Sequence, residues 1–170
     1  MSKNDKETRA TRYSRYSCFF IVLGFLVSVY SYYVEIMMEK HGSDYTPLCD
    51  VNEIVTCSRP LQSSFATGLG IIGTILGKDS IFNQKNALLG AISYVIVLPV
   101  HMISGKNVAN VVFWISVFMN LLSIYLFITL VYLKAVCLVC FCIYFINAFI
   151  LFFNTRRRQV YFGLDVKKQR

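Results

Sequence analysis

The chain has 170 residues, room for one domain, and it is 56% hydrophobic and 15% aromatic but only 15% charged, a balance that excludes an ordinary soluble globule. Its net charge of +8 gathers in the two tails rather than on one face, which argues against a nucleic-acid surface. Four uncharged runs of 19 to 27 residues (Tyr16–Val34, Asn86–Gly105, Asn107–Leu133 and Ala135–Thr155) are each long enough to cross a hydrocarbon core of about 30 Å.

The predicted fold is therefore an all-α integral membrane protein, a four-transmembrane-helix bundle forming a single membrane domain over 1–170. Residues 1–15 form a polar, mobile tail carrying Lys3, Lys6, Arg9, Arg12 and Arg15. Span 1 covers 16–36. No small-x-small cleavage site ends it, so it reads as a retained helix, with Tyr30-Ser-Tyr-Tyr33 as an interfacial belt. Cys18 lies within it as a small apolar residue. Residues 37–82 form the longest connection, where Glu39, Asp44, Asp50, Glu53 and Asp79 balance Lys40, Arg59 and Lys78. Bases in the tails and acids in this loop follow the positive-inside rule, so both termini are expected in the cytosol and the loop in the lumen. The loop carries Cys49 and Cys57, eight residues apart on the oxidising side. A structural staple is one reading. A membrane-tethered loop gains little from an entropic clip, so the pair reads better as a redox shuttle. After Pro60 the glycine-rich stretch Ser63–Leu76 is apolar but too short to span, and is expected as a half-helix capping the bundle.

Span 2 (83–105) contains Pro99, and the short basic turn His101–Asn107 returns the chain to span 3 (107–133). There Asn120 is expected to hydrogen-bond to a neighbouring helix. Span 4 (134–155) opens on Lys134 and carries Cys137 and Cys140, three apart on one helical face. The helix N-terminus and Lys134 favour a thiolate at Cys137, while Cys140 lies one turn deeper in apolar surroundings. Buried structural thiols or half a zinc site are the alternatives. Zinc takes about four ligands, and His41 and His101 are the only histidines; no metal and no tightly bound cofactor are expected. The tail 156–170 adds Arg156, Arg157, Arg158, Lys167, Lys168 and Arg170. There is no nucleotide loop and no Ser/His/Asp set.

With both cysteine pairs placed, the chain resembles the vitamin K epoxide reductase family, in its four-span animal-type form, from span 1 to span 4. The resemblance rests on Leu48-Cys-Asp-Val with Cys57-Ser-Arg, Gly68-x-Gly70, Gly77-Lys-Asp-Ser-Ile-Phe-Asn-Gln84, and Cys137-Leu-Val-Cys140 followed by Tyr144 and Asn147. It implies a quinone pocket beneath the loop and capping half-helix, with Cys137 and Cys140 as the catalytic pair that reduces vitamin K epoxide or quinone. Cys49 and Cys57 would relay electrons from a thioredoxin-like lumenal partner acting in trans, and Asn83 and Tyr144 would hold the quinone oxygens. The C-terminal Lys167-Lys-Gln-Arg170 resembles a cytosolic dilysine retrieval signal, so an endoplasmic reticulum membrane location is expected. Vitamin K antagonists of the 4-hydroxycoumarin type would then be ligands. The chain departs from the usual animal pattern at Phe65, Cys142 and Ile143-Tyr-Phe145. Two other functions compete. One is the same chemistry run to form disulfides in secretory proteins with quinone as the sink. The other is a non-catalytic, disulfide-stapled scaffold, which leaves a cysteine pair inside a helix unexplained.

Overall fold

The computed structural model describes residues 3–52, 55–70, 72–75, 77, 80 and 83–163; Glu53, Lys78, Asp79 and the Lys167-Lys168 pair lie outside the described residues. Helix α1 runs Lys3–His41, 39 residues, or about 58 Å at ~1.5 Å per residue. The segment expected as a mobile tail is thus helical from Lys3 onward. Two things extend it. No glycine or proline interrupts the chain before Gly24, and Ala10, Ser14 and Ser17 recur on one face and are buried.

Three more long helices follow: α4 (Asn86–Met102), α5 (Lys106–Tyr132) and α6 (Leu138–Phe162), with two single-turn helices, α2 (Ser58–Leu61) and α3 (Ile72–Ile75), in the loop before them. Helices α1, α5 and α6 are each long and apolar enough to cross a membrane. With 17 residues, α4 reaches about 26 Å, short of a full hydrocarbon core. Among the described residues the only extended pairings are isolated bridges, Val55 with Val136 and Thr67 with Lys85.

The bundle is built around α1 and α6. Helix α1 packs along α4 and α6, and α5 packs along α6, whereas α4 and α5 scarcely touch. Ile21, Tyr94, Val97, Ile146 and Ile150 interlock α1, α4 and α6. Large apolar side chains such as Phe19, Leu26, Ile96, Trp114 and Phe118 point outward, as a lipid-facing surface requires. As expected, Asn120 ties α5 to α6, its Nδ2 donating to the Asn147 carbonyl at 2.9 Å.

One end of the bundle is closed by a buried polar network. Asn154 Nδ2 donates to Ser116 Oγ (2.6 Å) and Ser17 Oγ donates to Asn154 Oδ1 (3.1 Å). His101 Nδ1 donates to the Val97 carbonyl at 3.0 Å, leaving Nε2 to accept from Asn154 Nδ2, also at 3.0 Å. Ser14 Oγ donates to the His101 carbonyl. The last carbonyls of α4 have no partner within the helix. Arg157 supplies one, its Nη1 donating to His101 O (3.3 Å) and its Nη2 to Ile103 O (2.6 Å). Arg157 reads in sequence as the start of a basic tail. It is buried because α6 continues to Phe162.

At the other end, the expected capping half-helix is not one helix. It is a chain of short turns: α2, 3-10 turns at Ser64–Ala66 and Gly68–Gly70, then α3. Gly68, Leu69 and Gly70 all take positive φ (55°, 56° and 72°), which no right-handed helix can continue through. Glycine is required at two of these positions by space as well. A Cβ on Gly68 would meet Asn83 Oδ1, and one on Gly70 the Phe65 ring. Leu69 tolerates its conformation because both its backbone groups are bonded. Its N–H donates to Asn86 Oδ1 (2.9 Å) and its carbonyl accepts from Tyr125 Oη (2.7 Å). These bonds and Asn86 Nδ2 to Phe65 O (2.6 Å) fix the turns over the gap between α4 and α5.

Candidate active site

The cysteine loop is organised by one aspartate. Asp50 Oδ1 accepts from the Cys57 and Ser58 amides (2.6 and 3.1 Å) and from Thr56 Oγ1 (3.1 Å), while Oδ2 accepts from Ser58 Oγ. Burial alone would push this carboxyl up, but the four hydrogen bonds outweigh it and hold Asp50 below the usual carboxylate range. They also fix Cys57 at the start of α2. There it forms a disulfide with Cys49, the Cα atoms 5.8 Å apart. Leu48 and Val51, on either side of Cys49, are 90% and 71% exposed.

Cys137 is joined to Cys140 by a second disulfide, with Cα atoms 5.2 Å apart. Extended φ and ψ at Cys137 start α6, and its Sγ accepts from the Cys140 amide at 3.2 Å, the geometry of an N-cap. The turn before it is closed by Lys134 in the left-handed region (φ 50°), with the Ala135 N–H bonded to the Leu130 carbonyl.

Main-chain pairing brings the two disulfides together. Val55 bridges Val136, and the Thr56 N–H donates to Val136 O at 3.1 Å. As a result Cys57 Sγ and Cys137 Sγ lie 4.0 Å apart. Both cysteines are fully buried, in one cluster with Cys49, Leu130 and Val139. Cys57 faces Cys137 from outside the bundle, and Cys140 faces inward.

Inward of Cys140 lies a cavity of about 420 Å³, bounded by α1, α4, α5, α6 and the cap. Its walls are mainly aliphatic and aromatic. Tyr144, one turn after Cys140, lines it, with the rings of Phe127 and Phe141 at 6.2 and 6.0 Å from the Tyr144 ring. Its far end is polar and internally bonded: Tyr94 Oη donates to Asn147 Oδ1 (2.7 Å), and Asn147 Nδ2 to Ser123 Oγ (2.9 Å). On the α1 side, Ser28, Ser31 and Glu35 share one face and line the cavity.

Of the residues singled out in sequence, Cys49, Cys57, Cys137 and Cys140 are brought into one cluster, and Cys140 and Tyr144 share the cavity. Asn83 lies against the backbone of Gly68 and Gly73, behind the cap. Asn86, three residues on, lines the cavity. Cys142 is exposed on the outside of α6. Sequence reading passed over Asn86 and Glu35. Asn86 opens α4, where the chain gives no sign of which way a side chain turns, and Glu35 reads as the end of an uncharged run although α1 continues to His41. Cys49, Asp50 and Cys57 put three potential metal donors within 4.8 Å of one another. Two of those sulfurs are bonded to each other, and Asp50 is saturated by its hydrogen bonds, so the set does not suit an ion in this state.

The comparisons agree with this geometry. The sequence model of the vitamin K epoxide reductase family matches residues 17–155. Vitamin K epoxide reductase complex subunit 1 of Rattus norvegicus is 33% identical over 126 residues, covering 74% of this chain and 78% of the rat protein. The Mus musculus protein of the same name is 30% identical over 132 residues, covering 73% and 77%. The matched region takes in both cysteine pairs, the cap, α4 and α5, with α1 from Ser17 and α6 as far as Thr155. The chain is a multi-pass membrane oxidoreductase, and it belongs to the vitamin K epoxide reductase family.

Proposed function

We propose that this protein reduces vitamin K epoxide, vitamin K quinone or both in the cavity beside Cys140, and that Cys49 and Cys57 recharge it from a thioredoxin-like partner. The observation that carries this reading is the 4.0 Å separation of Cys57 and Cys137, with Cys140 on the far side facing an apolar cavity. Sulfur-to-sulfur exchange needs a thiolate to approach the disulfide it attacks, and here the approach is already made.

In this scheme a partner thiolate attacks Cys49, and Cys57 leaves as thiolate. Cys57 then attacks Cys137, forming a Cys57–Cys137 bond and releasing Cys140. The partner's second thiol frees Cys49, which attacks Cys57. The loop disulfide is restored and Cys137 is reduced. Leu48 and Val51 give the partner an apolar surface beside its target. The reduced Cys140 adds to the substrate ring. Cys137 then attacks Cys140 Sγ, and the electron pair of the broken C–S bond passes to the ring as the disulfide closes. Epoxide yields quinone and water; quinone yields hydroquinone. Tyr144 and Asn83 are assigned to hold the ring oxygens, Tyr144 from the cavity wall and Asn83 from the cap side. The same cavity is assigned to 4-hydroxycoumarin antagonists.

We assign α4 as the fourth span. An even number of crossings puts both basic ends on one side, which the positive-inside rule makes the cytosol of an endoplasmic reticulum membrane protein. Cys49, Cys57 and Lys134 then face the lumen. The test is to assay purified protein with dithiothreitol against the epoxide and the quinone separately. Turnover of at least one, with Cys137 and Cys140 cycling, is the expected result. Reduction of both disulfides with neither substrate consumed would overturn the reading.

A further inference from the structure

The cavity contains a carboxyl group that the scheme above does not use. Glu35 lies near the end of α1, is only 4% exposed, and lines the same space as Cys140 and Tyr144. Its Oε2 is buried with no hydrogen-bond partner. A buried carboxyl oxygen with no donor is costly to keep, and packing alone does not call for one: an aliphatic side chain would fill the position.

The other polar groups around the cavity are mostly occupied. Ser63, Ser93, Ser123 and Thr129 each donate their hydroxyl proton to a main-chain carbonyl. Tyr94 donates to Asn147. Among the described residues, Glu35 is the one carboxyl that lines the cavity. One turn toward the helix end, Glu39 pairs with Lys85 at 2.9 Å, their side chains 69% and 22% exposed. Glu35 thus sits beneath an ion pair that reaches water, on the same face of α1 as Glu39.

Resting on the reductase reading above, we propose that Glu35 is the acid of epoxide opening. When Cys140 thiolate attacks the epoxide carbon, a C–S bond forms, the C–O bond breaks, and the electron pair stays on oxygen as an alkoxide. Glu35, carrying a proton, gives it to that oxygen. Its carboxylate is reprotonated from the aqueous surface by way of Glu39 and Lys85. Opening the epoxide without a proton would leave a bare alkoxide in an apolar cavity. Thiolate addition to a quinone instead gives a delocalised phenolate-like anion, which a hydrogen bond can hold. The two half-reactions therefore differ in their need for Glu35.

Glu35→Gln keeps the shape and a hydrogen-bond donor but cannot deliver a proton. With the full chain and dithiothreitol, epoxide turnover is expected to fall ~100-fold or more, and quinone turnover by less than ~10-fold. Equal activity of variant and wild type on both substrates, or an equal loss on both, would overturn the role of Glu35 alone. A wild-type chain that consumes neither substrate would overturn the reductase reading and Glu35 with it. If the variant does not fold, the wild-type ratio of epoxide to quinone turnover carries the test. Facing Glu35 are the charged groups Glu39 on α1 and Lys85 at the start of α4. Among the described residues the titratable groups around the cavity are Tyr94 on α4 and Cys140 and Tyr144 on α6, with none from α5 or the cap. Thiol ionisation is common to both substrates and cancels in the ratio, so the ratio must fall as pH rises through the titration of Glu35. A ratio flat in pH sinks the proposal.

Discussion

Both ends of this bundle bury polar groups, but they do opposite things with them. At the Arg157 end the side chains of α1, α4, α5 and α6 converge on one another: Ser17, Ser116 and His101 all meet Asn154, and Arg157 closes the end of α4. Among the buried side-chain atoms of the described residues at this end, only Nε of Arg157 and of Arg158 lack partners. At the cysteine end the helices part, the cap spans the opening, and a Glu35 carboxyl oxygen and the sulfur of Cys140 face the space left between them. A low-dielectric interior punishes an unsatisfied group and strengthens a satisfied one. The first end uses that to fix the helices. The second leaves one carboxyl oxygen and one sulfur available to something that is not protein.

The sharpest way to break this contrast is to remove one sulfur. Cys140→Ala should bring turnover to background with any reductant, because the thiol facing the cavity is gone. Cys49→Ala should lose turnover with a thioredoxin-like partner yet largely keep it with dithiothreitol, which can reach Cys137–Cys140 directly. Both variants should accumulate a Cys57–Cys137 bond. Mass spectrometry finding mainly Cys49–Cys137 would reverse the relay.

Next in size are the groups assigned to the ring oxygens. Tyr144→Phe and Asn83→Ala should each lower dithiothreitol-driven turnover by ~10²-fold, as removal of one oxyanion donor does elsewhere, with melting temperature nearly unchanged. If Asn83→Ala only melts earlier, its task is to hold Gly68 and Gly73, and Asn86 on the cavity wall takes the donor role.

The Arg157 end should respond in the other currency. Arg157→Met strands the Ile103 carbonyl and leaves the His101 carbonyl with Ser14 alone, at a cost of ~1–3 kcal/mol. Melting temperature should fall while turnover per folded molecule stays near wild type. A large loss of turnover without a fall in melting temperature would mean that the two ends are coupled.

The smallest effect concerns Asp50. Its folded carboxyl titrates below an unfolded aspartate, so the stability it adds is complete above the unfolded value of ~3.9 and lost as pH falls through the folded value. Reduction of Cys49–Cys57 by a water-soluble phosphine should speed up modestly in that acidic window, and Asp50→Asn should remove the change. Equal acceleration in the variant would assign the effect to another group.

The length and apolarity of the helices, and the two cysteine pairs, were legible because each is a property of a short stretch of chain. The apposition of Cys57 and Cys137 was not, since it depends on Val55 meeting Val136 across 81 positions. Glu35 was hidden for a different reason. It ends an uncharged run, so it reads as the boundary with water, yet α1 continues to His41 and keeps that turn inside the bundle. Arg157 reads as a boundary for the same reason and is buried in the same way. The broken cap depended on three successive left-handed residues, one of them Leu69, whose conformation is set by Asn86 and Tyr125 from elsewhere in the chain.

Arg157 also sets an order of events during synthesis. The guanidinium lies 56 residues after the His101 carbonyl of α4 and 54 after that of Ile103, which caps the helix. While the ribosome is still making α5, the end of α4 must keep the Ile103 carbonyl open at the water interface. Only when the last helix emerges can the turn at Ile103 be latched. A nascent chain that stops short of Arg157 would contain every apolar segment and both cysteine pairs, but its second long helix would be left unfastened, a state that quality control could recognise as unfinished.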